Sequence, residues 1–215
     1  MSQLQSILLS LRGIIIFASL IFSGCASFPD HKIAKVEDIS ISQEYVANKP
    51  SVYIPITFLT NLSSGDEKGY VESAAPLPTL KRLIEKLAND LSLFKDYSFE
   101  TFQAQNMDFV LKIEMLNHGS AGKAAGAGLI TGLTLFVIPS VATDNYTLTG
   151  KVYDKSGKLL KTYSYEDSLS TWIGLWLLPV AGNTPSDAAD ETFSNMFKAL
   201  FRDILNDKIL EKKPS

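Results

Sequence analysis

The feature that most restricts the fold is a change of hydrophobic period along the chain. From Thr79 onward, Leu80, Leu83, Ile84, Leu87, Leu91 and Phe94 recur at helical spacing, with Lys81, Arg82, Glu85, Lys86 and Asp90 between them. This predicts an amphipathic helix over 79–94, with Thr79 as its N-cap. Shortly afterwards Phe109, Leu111, Ile113 and Met115 alternate with other residues, the period of a strand with one buried face. That face belongs against the helix. A second helix is predicted from Ser186, with Ala189, Phe193, Met196, Phe197, Leu200, Phe201 and Ile204 as its buried stripe.

The intervening segments read as strands. Val52 to Leu59 is rich in β-formers but contains Pro55; proline cannot donate to a ladder, so this strand is expected at an edge or with a bulge. Tyr97 to Phe102 fits a short strand. Tyr146 to Tyr153 and Leu159 to Tyr165 are joined by Asp154-Lys155-Ser156-Gly157, where Gly157 supplies the positive φ of a tight hairpin. The order strand, helix, strand, strand, hairpin, helix predicts an α+β fold. The expected architecture is one mixed β-sheet of about five strands with two helices packed on one face, plus an N-terminal signal helix and a Gly-rich apolar insertion. The expected divisions are a signal peptide over 1–24, a tether over 25–48 with a short strand near Ile39-Ser40-Ile41, and one α+β domain over 49–210.

The N-terminus carries a single positive charge at Arg12, an apolar run from Gly13 to Phe22, and then Ser23-Gly24-Cys25. The run is short for a spanning helix and ends in small residues, the layout of a signal peptide. Phe22-Ser23-Gly24-Cys25 resembles the lipobox of bacterial lipoproteins, with Phe22 where Leu is usual. The resemblance implies cleavage between Gly24 and Cys25, a diacylglycerol on Cys25 and a fatty acyl group such as palmitate on the new amino end. Ala26, in place of Asp, implies sorting to the outer membrane facing the periplasm rather than retention at the inner membrane. Cys25 is the chain's one cysteine, so no disulfide forms within the chain.

The domain resembles the periplasmic type shared by the curli secretion lipoprotein, the Pel polysaccharide lipoprotein, the lipoprotein activators of penicillin-binding proteins and the N-terminal domain of TolB. The matching features are the strand ending at Phe58 with Asn61 just after, the helix over 79–94, Met107-Asp108-Phe109-Val110-Leu111, and the Asp154 to Gly157 turn. The resemblance implies a fold more than a function.

Two segments flanking the hairpin, 124–142 and 168–186, carry no charge. The first contains Leu133, Leu135, Phe136 and Ile138, the second Trp172, Leu175, Trp176, Leu177 and Leu178. The hairpin brings both to one end of the sheet. Tryptophan favours the membrane interface, where ring and N–H are both satisfied, and glycines at 122, 126, 128 and 132 are spaced for close helix approach. These nine apolar residues are candidates for membrane or partner contact. Buried core and an apolar ligand groove are the other two readings.

Catalytic chemistry is sparse. His31 and His118 are the only histidines, too few for a convergent metal or His-based site, and no nucleophile elbow or phosphate loop is present. The pairs Asp66-Glu67 and Glu166-Asp167 read as solvated loop and strand-end charges. With 20 basic against 23 acidic residues the chain offers no field for nucleic acid. The expectation is a non-enzymatic envelope lipoprotein without cofactor or metal, acting as an accessory, assembly or binding subunit. Its partners would be the membrane, through its lipid, and an envelope protein or a second copy. The alternatives are an oligomeric, membrane-inserting export component that uses the two apolar segments, and a lipid-binding carrier.

Overall fold

The computed structural model describes residues 24–61, 69–119, 134, 138–174, 177 and 182–211. The expected signal helix lies outside these residues, as does most of the Gly-rich insertion. The chain forms an α+β fold around one mixed sheet. Its strands are β1 (Gly24–Pro29), β2 (Ser51–Tyr53), β3 (Ile56–Asn61), β4 (Tyr70–Glu72), β5 (Asp96–Ser98), β6 (Phe109–Asn117), β7 (Ser140–Asp154) and β8 (Leu159–Gly174). The order is β1-β8-β7-β6-β2-β5, with β3 lying between β6 and β4. The helices are α1 (Gln43–Ala47), α2 (Leu77–Asp90) and α3 (Pro185–Asn206), with a 3₁₀ turn at Thr101–Asn106.

Among the described residues, eight strands rather than about five arise for identifiable reasons. Pro55 divides one expected strand into β2 and β3. Both halves are interior, flanked on each side, so the expectation of an edge is corrected. No bulge forms either: Tyr53 faces Val110 and Ile56 faces Ile113, so the register runs through Pro55 unshifted. The proline forfeits a donor but keeps its acceptor, and its carbonyl takes the Ile113 N–H at 2.9 Å. β4 comes from the stretch between Asn61 and Pro78, whose serines, glycines and prolines read as a polar loop, and β1 from the expected tether.

The stretch 25–48 is laid along the domain. Beyond β1, the Val36 N–H donates to Asn195 Oδ1 at 2.9 Å and the Asn195 amide donates back to the Ile33 carbonyl at 3.2 Å. Tyr45 on α1 enters the core. Ile39 to Ile41, expected as a short strand, has no regular structure, although Ile39 and Ile41 pack against the core.

Helix α2 begins two residues before Thr79, which is a residue of its first turn rather than its cap. Pro76 holds the cap position and Pro78 sits in the first turn, where a missing N–H breaks no helical bond. It stops before Phe94 because Ser92 turns left-handed (φ 48°) and a Schellman arrangement closes the end. Ser92 N–H reaches the Asn89 carbonyl and Leu93 N–H the Ala88 carbonyl. The strand expected to Phe102 ends at Ser98 and gives way to the 3₁₀ turn. Helix α3 is capped by Thr184, whose hydroxyl accepts the Asp187 N–H.

Phe109, Leu111, Ile113 and Met115 form one core with Leu80, Leu83, Ile84 and Leu87 of α2 and Phe193, Met196, Phe197, Leu200, Phe201 and Ile204 of α3. Gly150 on β7 lets α3 approach, since a Cβ there would lie 2.7 Å from Leu200 Cδ1. A polar ladder fixes the register of α3 on β8. Tyr165 donates to Asp203 at 2.7 Å and Tyr163 to Asp207 at 2.8 Å. Two strand residues span about the rise of one helical turn, so the pairs match.

Burial pushes the Asp203 carboxyl up, but hydrogen bonds from Arg202 and Tyr165 outweigh it and hold the pKa below the ordinary 3.8. Lys161 and Tyr163 lower that of Asp207 by hydrogen bonding. A carboxyl whose folded pKa is lowered contributes stability above its unfolded value and loses it as the pH falls through the folded one. The ladder is therefore expected to weaken below about pH 4. A Tyr163→Phe/Tyr165→Phe variant should lose less stability than the parent between neutral and acid urea titrations; equal losses would show that the ladder is not the acid-sensitive element.

Candidate functional site

Strands β7 and β8 outrun β6. Asn117, the last residue of β6, faces Tyr146, while β7 and β8 remain paired as far as Ser140 and Ile173. β1 runs antiparallel along the same part of β8, with Gly24 opposite Gly174 and Pro29 opposite Leu169. The result is a three-stranded arm, β7-β8-β1, projecting past the end of β6. Its outer strand is tied down: the Ser27 N–H donates to the Asn183 carbonyl at 2.9 Å, and the Ser27 and Thr171 hydroxyls lie 2.7 Å apart.

Residues directly opposite one another in an antiparallel pair share a face, so the registers define rows across the arm. From the tip these are Cys25–Ile173–Ser140, Ala26–Trp172–Val141, Ser27–Thr171–Ala142 and Phe28–Ser170–Thr143. None of these residues is charged. The next row, Pro29–Leu169–Asp144, brings the first carboxylate.

Charge concentrates below it. Asp30 accepts from the Ser168 and Ser170 hydroxyls, and Lys32 Nζ donates to Asn145 Oδ1 at 2.8 Å. Asp167 is buried and accepts the backbone N–H groups of Lys32 at 3.0 Å and Ser168 at 2.8 Å. Burial raises the Asp144 carboxyl pKa, and burial followed by the charge of Asp144 raises that of the Tyr146 phenol. The arm thus has an uncharged tip and a charged collar.

Several residues singled out in the sequence meet here. Cys25 is exposed near the start of β1. Trp172 is 40% exposed, Val141 42% and Ile138 54%. Leu177 is half-buried. Leu133, Leu135, Phe136, Leu175, Trp176 and Leu178 lie outside the described residues. Val141 belongs to the first apolar segment but was not among the expected contact residues. Only its register opposite Trp172 places it on the patch.

The remaining titratable candidates lie apart. His118 bridges Tyr70 and Thr147, with Nδ1 2.5 Å from the phenol oxygen and Nε2 2.8 Å from the hydroxyl. His31 lies 4.0 Å from Glu191. Glu166 and Asp167 point to opposite faces of β8, and Asp167 is a buried structural acceptor rather than the solvated charge expected. Asp66 and Glu67 lie outside the described residues. Among the described residues no group of three or more His, Cys, Asp or Glu side chains is arranged to hold a metal. No described helix is long and apolar enough to cross a membrane. A cleft of about 890 Å³ opens beside the β7–β8 turn, lined by Glu44, Lys155, Lys158, Lys208 and Glu211 among others. None of its lining residues comes from either apolar segment.

No protein-family model and no curated protein matches the chain. Among solved structures it is similar to a minor lipoprotein from Acinetobacter baumannii, at 11% identity and TM-score 0.41, over 76% of this chain and 96% of that one. The PelC dodecamer from Paraburkholderia phytofirmans matches at 10% identity and TM-score 0.30, over 80% and 97%. A DUF4136 family protein from Bacteroides thetaiotaomicron matches at 12% identity and TM-score 0.31, over 89% and 99%.

Proposed function

We propose that this protein is a non-catalytic envelope lipoprotein, held to a membrane by lipid on Cys25 and acting in the periplasm as a binding or assembly subunit. The observation that supports this reading is the position of Cys25. It is exposed in β1, in the outermost three-stranded row of an uncharged arm, opposite Ile173, one row from the exposed Trp172 and Val141. The lipobox-like Phe22-Ser23-Gly24-Cys25 supplies the modification signal, and Ala26 favours the outer membrane. Several acyl chains on one residue give stable anchoring, at about 0.8 kcal/mol per buried methylene, where a single chain is marginal.

The test is Cys25→Ser. Cells fed labelled palmitate should label the parent protein and not the variant, and the variant should move out of the membrane fraction. Intact mass should place the parent's mature N-terminus at Cys25 with acyl groups attached. Continued labelling of the serine variant would refute the assignment, and density-gradient separation of the two membranes tests the sorting expected from Ala26.

A further inference from the structure

A lipoprotein hung on a flexible linker samples many orientations, because a disordered chain of n residues has a root-mean-square reach of about 5–6 Å × √n. Here the described residues that follow Cys25 form a strand instead. Cys25 is paired with Ile173, Ala26 is buried opposite Trp172, and Ser27 is tied on both sides by Asn183 and Thr171. The residue that would carry the lipid is already part of the sheet.

We infer that the arm tip is a bilayer-docking surface and that the domain stands on the membrane in one fixed pose, its arm as the foot. This rests on the lipid-anchor reading. Three observations select a lipid surface as the occupant. The acylation point and the apolar side chains share the arm's tip: Cys25 lies in the outermost three-stranded row, with Trp172 and Val141 one row behind it on the opposite face of the sheet, so the tip is uncharged on both faces. The four outermost rows are free of charge, whereas carboxylates and Lys32 gather at the collar just behind them. That is the partition expected where apolar side chains meet acyl chains and ionised ones stay in water. An exposed tryptophan beside branched aliphatics is suited to the headgroup boundary. The five residue steps from Cys25 to Asp30 then set a stand-off of about 16 Å between the anchor and the charged collar, at about 3.3 Å per residue. The β7–β8 turn and its cleft lie at the far end of the sheet, facing away from the bilayer.

The experiment uses the full processed protein purified from membranes and carrying Trp176→Phe, so that Trp172 is the sole tryptophan. Intact mass first establishes whether acyl groups are present. Their absence overturns the anchor reading itself, independently of docking. The acylated protein is then reconstituted into phosphatidylethanolamine/phosphatidylglycerol vesicles with and without acyl-brominated lipid. The expected result is that bromolipid lowers Trp172 emission, as for an indole at the headgroup boundary. Val141→Asp with Ile138→Asp should restore most of that emission while acylation stays complete. An acylated protein whose Trp172 emission is indifferent to bromolipid would overturn the inference. So would a tryptophan shielded from iodide but not quenched by bromolipid in a particle of twice the mass, which would assign the patch to a second copy.

Discussion

Replacing Phe201 by alanine is expected to lower the free energy of unfolding by about 3–5 kcal/mol, with little change in its dependence on denaturant. Phe201 is only 1% exposed and lies among Met196, Phe197, Leu200 and Ile204 on the face that α3 presents to the sheet. Its ring meets Phe94 edge-on at 6.0 Å between centroids, a contact that truncation also removes. The region cannot collapse easily onto the space left, because α3 is held in register by the Tyr163 and Tyr165 ladder and approaches β7 through Gly150. Phe102→Ala is the matched control. Its ring is 78% exposed on the 3₁₀ turn, so its loss should change stability by no more than about 0.5 kcal/mol. Urea titrations of both variants check this, and comparable losses at the two positions would contradict the burial described.

Asp167→Ala should destabilise by about 2–4 kcal/mol, because it strands backbone donors that the carboxylate satisfies away from water. One Oδ1 atom accepts from both Lys32 and Ser168, which ties the segment following β1 to the base of the arm. Asp167→Asn keeps an oxygen there and should recover most of the loss. This pair of variants separates hydrogen bonding from charge: if asparagine were as costly as alanine, the negative charge and not the acceptor would be what matters. The alanine variant should also become cleavable between residues 30 and 36 under limited proteolysis, while the hairpin turn at 154–158 keeps its protection. That turn is held by Asp154, which accepts from the Ser156 and Lys158 N–H groups.

The legibility of the chain followed the range of the interactions. Period-two alternation identified the buried face of β6, and the helical stripe from Phe193 to Ile204 identified that of α3, because both patterns record burial against a neighbour directly. The Asp154–Gly157 turn was legible from Gly157, whose φ is 82°. Boundaries were less so. Thr79 has the chemistry of a cap, but Pro76 and Pro78 start the helix earlier, and Pro55 has the chemistry of an edge, but its carbonyl keeps an interior register.

The α+β class, the buried faces of β6, α2 and α3, the hairpin, and the uncharged character of 124–142 and 168–186 are all written in the amino-acid order. These follow from side-chain period and turn chemistry, which act over a few residues. The pairing of residues 24–29 with β8, the place of Val141 beside Trp172 and the role of Asp167 as an internal acceptor emerge from long-range packing. Each joins positions more than twenty residues apart in the chain. A polar stretch such as 25–48 carries no periodic signal of its own, so it reads as linker until the unpaired edge of β8 offers it a ladder of hydrogen bonds.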